Sequence, residues 1–210
     1  MNAFIFDLDG VLVFTDEFHY VAWKKLANGV SVYFDKEINN RLRGVSRADS
    51  LEIILERYTG PALSKQRKNE LMEQKNNSYR KLLAQMTPKD VSSEVRETLA
   101  KLREKGYKLA LGSSSKNARF ILERVALTDA FDAISDGNNI THSKPDPEVF
   151  VKAAEFLGVC PQECYVVEDA RAGIDAAKAA GMTAVGIGEA AGYERADVKI
   201  GCFSELLELV

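Results

Sequence analysis

The sequence is poor in the residues that build disulfide frameworks and zinc sites. It has three cysteines and two histidines, which are Cys160, Cys164, Cys202, His19 and His142. An odd and low number of cysteines argues against a disulfide framework, and so few histidines argue against a zinc site. We therefore expect free thiols in a reducing environment and a cytoplasmic protein.

Long apolar runs and blocks of like charge are also missing. The apolar run at the N-terminus is too short for a signal peptide, and no stretch approaches the length of a membrane span. Twenty-eight basic and 31 acidic residues give a formal net charge of −3, without a dense lysine or arginine block. These absences argue against membrane and nucleic-acid partners. We expect a monomer.

Strand-like and helix-like patterns alternate along most of the chain. Apolar runs of strand length occur at residues 3–6, 108–111, 165–167, 183–187 and 198–200. Helical periodicity lies between them, as where Val95, Leu99 and Leu102 recur at helical spacing. Continuously apolar strands that alternate with helices predict an α/β fold with a parallel sheet covered on both faces.

One long segment interrupts this alternation. It is predicted to consist of helices at residues 17–28, 35–43, 47–58 and 64–85. No strand pattern occurs there, and the sheet pattern resumes after Thr87-Pro88. The sequence therefore predicts a discontinuous α/β domain of residues 1–14 and 87–210, with an inserted helical cap domain of residues 15–86.

Two aspartates follow the first predicted strand directly. Because side chains alternate along an extended chain, Asp7 and Asp9 are predicted to point to the same side. Open α/β sheets bind ligands at the carboxyl ends of their strands. Two carboxylates held there repel each other unless a cation joins them, and Mg²⁺ prefers oxygen ligands. A calcium loop starting at Asp7 is excluded, because Leu12 and Phe18 stand where glycine and glutamate are required.

A segment rich in small polar residues follows the second strand pattern. Residues 112–117 read Gly-Ser-Ser-Ser-Lys-Asn and precede a predicted helix. A helix cap needs one serine or asparagine, whereas this segment offers three serines, Lys116 and Asn117. Hydroxyl groups and the free N–H groups of a helix N-terminus form an anion pocket, so the segment is predicted to bind phosphate.

Two further segments carry charge. Lys144 lies in a rigid turn, Ser143–Pro147, where a surface lysine is the ordinary interpretation. Glu168 and Asp169 follow the strand pattern at 165–167, where acids also suit the start of a helix. Neither segment decides the function alone.

The four segments together resemble the motifs of the haloacid dehalogenase superfamily. They occur in the family's order, and the resemblance covers essentially the whole chain. It implies a Rossmann-like core with an insertion after the first strand. It also implies that Asp7 is the nucleophile, which becomes an aspartyl-phosphate and makes the enzyme a phosphoprotein, and that Asp9 is the general acid/base.

The same resemblance assigns the remaining core residues. Ser113 and Lys144 would hold the transferring phosphoryl group. The implied Mg²⁺ ligands are Glu168 and Asp169, together with Asp7 and the backbone carbonyl of Asp9.

The predicted cap is similar to that of the β-phosphoglucomutases within this superfamily. The similarity lies in residues 42–51, in Lys75-Asn76-x-x-Tyr79 and in residues 113–117. It implies an isomerase of carbohydrate metabolism that interconverts β-D-glucose 1-phosphate and glucose 6-phosphate through a sugar bisphosphate. The implied substrate-binding residues are Thr15, His19, Trp23, Gly44, Arg47, Lys75, Ser115, Lys116 and Asn117. Arg47 would bind the phosphate that is not transferred, and an ordinary solvated helix face is the alternative for it.

The sequence departs from the pattern of the β-phosphoglucomutases at two places. Val13-Phe14 replaces a more polar pair, and Arg43 stands where lysine is common.

Other functions share part of the pattern. A sugar-phosphate phosphatase shares every core motif and is the main alternative. Phosphonate hydrolysis is disfavoured because it requires a cap lysine that forms a Schiff base, which Arg47 cannot form. Dehalogenation is disfavoured because those relatives lack an acid at the position of Asp9. A nucleotide-binding module is a remote alternative, because Gly186-x-Gly188-x-x-Ala191 resembles a dinucleotide fingerprint.

Overall fold

The structure is a computed structural model that describes residues 1–42 and 45–210. Arg43 and Gly44 lie outside the described residues, so the predictions for these two positions stay predictions. None of the helices in the described ranges combines the length and the apolarity that crossing a bilayer requires.

The chain divides into two compact units. The core unit comprises Met1–Phe14 and Met86–Val210, and the cap unit comprises Thr15–Gln85. Met86 is buried in the core unit, where its carbonyl oxygen accepts a hydrogen bond from Arg124.

The cap unit consists of helices in its described part. They are α1 (Asp16–Gly29), α2 (Lys36–Asn40), α3 (Arg47–Leu55) and α4 (Lys65–Leu83). Asp35, Ser46 and Ser64 begin α2, α3 and α4, and each side chain accepts a hydrogen bond from a backbone N–H in the first turn. Helices α1 and α4 pack together around an apolar cluster that includes Trp23 and Phe34. As predicted, no strand occurs among the described cap residues.

The core unit is built on a parallel sheet. Its strands are β1 (Ala3–Phe6), β2 (Lys108–Gly112), β3 (Ala133–Ser135), β4 (Cys164–Glu168), β5 (Thr183–Gly186) and β6 (Val198–Lys199). Their spatial order is β3-β2-β1-β4-β5-β6, which is the order of Rossmann-like folds. The predicted α/β fold class is therefore confirmed, and each of the five predicted strand patterns forms a strand.

Helices cover the sheet. The core helices are α5 (Ser93–Glu104), α6 (Ala118–Arg124), α7 (Glu148–Leu157) and α8 (Arg171–Ala179). Helix α7 packs on β1, β2 and β3, whereas α8 packs on β4 and β5. Strands β1 to β5 are mostly buried, which explains their largely apolar sequences, whereas the edge strand β6 is not.

The glycine-rich segment after β5 does not form a dinucleotide site. Gly188–Gly192 form a short 3₁₀ helix. The fingerprint requires an α-helix whose N-terminal N–H groups face a pyrophosphate. The nucleotide-binding alternative is therefore not supported.

Candidate active site

The carboxyl ends of three adjacent strands place predicted site residues side by side. Asp7 follows β1, and its N–H donates to Val167 O at 3.0 Å, which continues the pairing with β4. Glu168 is the last residue of β4. Ser113 follows β2 on the other side of β1, and its N–H donates to Ser135 O at 3.0 Å. The strand order runs from β1 to β3 on one side and from β4 to β6 on the other, and ligands bind at such a switch point, here between β1 and β4.

Lys144 is the buried cation of this cluster. It is 4% exposed, and its ammonium donates hydrogen bonds to Asp7 Oδ1 at 2.5 Å and to Glu168 Oε1. Burial alone would lower the pKa of Lys144, but the charges of Asp7 and Glu168 raise this pKa above its ordinary value. The side chain therefore stays charged, and the interpretation as a surface lysine is wrong.

Glu168 is the counter-ion of Lys144. Its Oε1 accepts from Lys144, and its Oε2 accepts from the N–H of Ala170 at 3.0 Å. Burial raises the pKa of Glu168 to about 7, although Lys144 acts in the opposite direction. A Cβ at Gly173 would lie 1.9 Å from this carboxylate, so only glycine fits there. Glu168 is thus held mainly as a partner of Lys144.

Three carboxylates form a set suited to a divalent cation. Oxygen atoms of Asp7, Glu168 and Asp169 all lie within 4.8 Å of one another. Such hard oxygen donors match the preference of Mg²⁺, so the residues fit this ion. Glu168 belongs both to this set and to the ion pair with Lys144.

Gly10 allows Asp169 to occupy its position. The φ angle of Gly10 is +88°, and a Cβ there would lie 2.1 Å from Asp169 Oδ2. The N–H of Gly10 donates to Val13 O at 2.7 Å, which closes the loop after β1. Asp9 lies in this loop and is half-buried. Its orientation toward the side of Asp7 stays a prediction.

The serine-rich segment is held by hydrogen bonds between its own side chains and backbone. Ser113 Oγ accepts from the N–H of Ser115, and Ser115 Oγ accepts from the N–H of Asn117, both at 3.2 Å. The N–H groups of Ser115 and Asn117 therefore already have acceptors within the segment predicted to bind phosphate. The hydroxyl groups of Ser113 and Ser115 can still donate their own hydrogens. Ser113 and Asn117 are buried, and Lys116 is exposed.

In the cap unit, His19 and Lys75 form a hydrogen-bonded pair. Lys75 is 3% exposed, and its Nζ lies 3.0 Å from His19 Nδ1. Because an ammonium group only donates, Nδ1 is the acceptor and the imidazole hydrogen is on Nε2. Burial, and then the charges of Lys75 and Arg47, hold the pKa of His19 well below its usual value. His19 is therefore neutral, and its Nε2–H is a donor.

Tyr79 connects the other predicted cap residues. Its hydroxyl lies 2.9 Å from Thr15 Oγ1, and its ring centroid lies 4.1 Å from that of His19. Lys75 Nζ lies 4.4 Å from the centroid of Tyr79 and 4.7 Å from the Trp23 ring. Tyr79 belongs to the pattern Lys75-Asn76-x-x-Tyr79 but was not predicted to be a site residue. Its position four residues after Lys75 on a helix was the available signal.

Arg47 is the first residue of α3. Its Nη2 donates to Asn76 Oδ1 at 2.9 Å, and the side chain is half-buried. Burial lowers the pKa of Arg47, but a guanidinium stays protonated. A cation at a helix N-terminus opposes the helix dipole, so this position does not serve helix stability. The contacts of Arg47 also differ from those of an ordinary solvated helix face.

Comparisons with known proteins agree with the motifs. The family model described as haloacid dehalogenase-like hydrolase matches residues 1–181. The chain belongs to this family. The resemblance stated from the sequence is thereby confirmed, and the chain is an enzyme of this family.

Individual relatives are similar over almost the whole chain. The chain is 44% identical to the beta-phosphoglucomutase of Bacillus subtilis, over 100% of this chain and 94% of that protein. It is 31% identical to the phosphorylated carbohydrates phosphatase of Thermotoga maritima, over 87% and 82% of the two chains. The crystal structure of beta-phosphoglucomutase from Clostridium difficile matches with a TM-score of 0.92 at 38% identity, covering 98% of this chain and 93% of that one.

Proposed function

We propose that the protein is a Mg²⁺-dependent phosphomutase that interconverts β-D-glucose 1-phosphate and glucose 6-phosphate. The observation that carries the proposal is the buried cluster in which Lys144 joins Asp7 to Glu168. Phosphoryl transfer needs a fixed nucleophile beside positive charge, and this cluster offers both. The 44% identity to a beta-phosphoglucomutase supports a small phosphorylated sugar as the substrate.

Asp7 carries the phosphoryl group between the two ends of the sugar. Phosphorylated Asp7 transfers its group to the 6-hydroxyl of glucose 1-phosphate, which yields the bisphosphate and the free carboxylate. Asp7 then attacks the phosphorus at the other end, and the bond from that phosphorus to the C1 oxygen breaks. Glucose 6-phosphate leaves, and Asp7 is phosphorylated again.

Other core residues move a proton and balance charge. Asp9 accepts the proton of the attacking hydroxyl and donates a proton to the departing sugar oxygen. Lys144 and Ser113 donate hydrogen bonds to the phosphoryl oxygens. Asp7, Asp169 and the Asp9 carbonyl, with Glu168 nearby, would hold Mg²⁺, which supplies further positive charge when bound.

Cap residues bind the part of the substrate that does not react. Arg47 holds the other phosphate through its planar guanidinium, which suits bidentate contacts. The Nε2–H of His19 and the ammonium of Lys75 donate to the sugar. The remaining proposed substrate contacts are Thr15, Trp23, Gly44, Ser115, Lys116 and Asn117. A cytoplasmic, monomeric enzyme is part of the same proposal.

A sugar-phosphate phosphatase is the second candidate, supported by the identity to the phosphatase of Thermotoga maritima. One experiment separates the two functions. The purified protein is incubated with Mg²⁺, β-D-glucose 1-phosphate and a trace of the bisphosphate, and glucose 6-phosphate and inorganic phosphate are measured. A mutase accumulates glucose 6-phosphate with little free phosphate. Release of phosphate without glucose 6-phosphate would reject the mutase proposal in favour of the phosphatase.

A further inference from the structure

We propose that Tyr79 is a positioning residue, which holds the His19–Lys75 pair in one geometry and one protonation state. Tyr79 is 1% exposed and touches both members of the pair as well as Thr15. Only the expected effect of Tyr79 on catalysis rests on the proposed function. The geometry of the pair is independent of the reaction.

The pattern of α4 is the first argument. The buried residues of this helix are Leu71, Lys75, Tyr79 and Leu83, which lie four residues apart on one face. A row that otherwise consists of apolar and aromatic residues therefore contains a lysine. A buried ammonium costs free energy unless groups around it replace its hydration.

The rings around Lys75 provide that replacement. Its Nζ lies 4.7 Å from the centroid of the Trp23 ring and 4.4 Å from that of the Tyr79 ring. The negative faces of aromatic rings stabilise a cation. The ammonium placed in this way donates to His19 Nδ1 at 3.0 Å, which keeps Nδ1 an acceptor. The Tyr79 ring thereby favours the imidazole state with its hydrogen on Nε2.

Tyr79 also fixes the imidazole itself. The two ring centroids are 4.1 Å apart, so the tyrosine covers one face of His19 and excludes water from it. The groups described around His19 are Lys75 and Tyr79 of α4 and Arg47 of α3. Both cations disfavour protonation of His19, and the cover over the ring acts in the same direction. The hydroxyl bond to Thr15 links α4 to the residue that precedes α1.

Nuclear magnetic resonance of the histidine rings tests the inference directly. The chain has two histidines, and His142 is exposed in the core unit, so it is an internal reference. In the parent, ¹⁵N shifts should show His19 with its hydrogen on Nε2 and a low titration midpoint. Tyr79→Leu should raise this midpoint by about one pH unit and mix the tautomers, because water reaches both groups. Tyr79→Phe should keep the parent values, because it retains the ring.

A matched control separates positioning from general loosening of the cap. Phe34 is another fully buried aromatic residue of the cap unit. Phe34→Leu should destabilise the unit comparably but leave the His19 midpoint unchanged. If Phe34→Leu moves the midpoint as far as Tyr79→Leu does, or if Tyr79→Leu does not move it, the inference is wrong. Tyr79→Met retains more volume without an aromatic face, and it replaces Tyr79→Leu in the test if that variant does not fold.

Kinetics supply a second readout. Tyr79→Leu should raise the KM for β-D-glucose 1-phosphate about tenfold and change kcat less, because the misplaced pair no longer binds the sugar. An unchanged KM in an active enzyme would contradict the proposed consequence. If the parent has no mutase activity, the proposed function fails, while the histidine titration still decides the role of Tyr79.

Discussion

The two buried lysines of this enzyme are stabilised in opposite ways. In the core unit, Lys144 is bonded to the carboxylates of Asp7 and Glu168. In the cap unit, the described contacts of Lys75 are with His19 Nδ1 and the faces of two aromatic rings. The first lysine lies in an ion-pair network, whereas these contacts of the second are with neutral groups.

This difference indicates what each region contributes to the proposed reaction. The carboxylates neutralise Lys144, so its charge is used mainly to fix the nucleophile and to prevent repulsion between the acids. The described contacts of Lys75 orient its ammonium through an imidazole nitrogen and two ring faces, which suits a residue that binds an anionic substrate. We therefore expect the charge of Lys144 to stabilise the folded core unit. We expect the charge of Lys75 to contribute mainly to substrate binding by the cap unit.

Loss of the nucleophile should have the largest effect. Asp7→Asn keeps the volume of the side chain and an oxygen that can accept from Lys144. We expect turnover of β-D-glucose 1-phosphate to fall by about 10⁴-fold, because an amide does not form the phosphoenzyme. A coupled assay of glucose 6-phosphate measures this, with circular dichroism to check the fold. Activity within about tenfold of the parent would reject Asp7 as the nucleophile.

Replacing each lysine by methionine tests the comparison itself. Lys144→Met leaves two buried carboxylates without their cation, so the free energy of unfolding should fall by roughly 3–5 kcal/mol. Lys75→Met removes a cation whose described contacts are one hydrogen bond and two ring faces, and we expect a smaller loss of about 1 kcal/mol. Urea unfolding of both variants provides the measurement.

The double variant Lys144→Met/Glu168→Gln is the control for the core. It removes the counter-ion together with the cation and should recover part of the lost stability. Equal losses in the two single variants, or no recovery in the double variant, would contradict the proposed difference between the regions.

Arg47→Ala tests whether the cap contributes a phosphate site. The value of kcat/KM for the sugar phosphate should fall by an amount that corresponds to roughly 2–4 kcal/mol. Phosphorylation by acetyl phosphate should persist, because that donor needs no second phosphate contact. Arg57→Ala is the matched control, since Arg57 is an exposed arginine of the same unit. Full sugar-phosphate turnover in Arg47→Ala would favour the phosphatase alternative.

A pair of glycine variants gives the smallest expected effect. Gly10 and Gly106 both have a φ of +88°, but only at Gly10 would a Cβ collide with Asp169. Each change to alanine should cost about 1–2 kcal/mol of stability through backbone strain. Only Gly10→Ala should also weaken Mg²⁺ binding, by about tenfold or more, because it displaces a ligand. Thermal unfolding and calorimetric Mg²⁺ titration measure the two quantities. Equal Mg²⁺ affinity in both variants would remove Asp169 from the proposed metal site.

Much of the core fold was predictable because each strand is a continuous apolar run. The predicted bounds of β1 agree with the structure, β2 extends one residue further at one end, and β4 extends one residue further at each end. Strand β3 was missed, because its residues Ala133-Ile134-Ser135 are too few to show a pattern. In the cap, the serines and the aspartate before the helices indicated their starts.

The side-chain partners of the site were not predictable in the same way. The bond between Lys144 and Asp7 joins residues 137 positions apart, and the contact between Thr15 and Tyr79 spans 64 positions. Local sequence periodicity does not reveal contacts between residues so far apart in the chain. A lone lysine in a turn therefore resembled any surface lysine. Likewise, the sequence did not indicate that the oxygens of Glu168 accept from Lys144 and from the N–H of Ala170, which only the structure shows.

The sequence alone determined the α/β fold class, the inserted helical segment and the order of the acidic, serine and lysine motifs along the chain. These features depend on local periodicity and on which residues follow each strand. Only the tertiary structure decided which partners each buried charged side chain contacts. It made Lys144 an internal ion-pair partner and Lys75 a lysine held by aromatic rings, because burial and neighbours from distant segments set the electrostatic environment of each group.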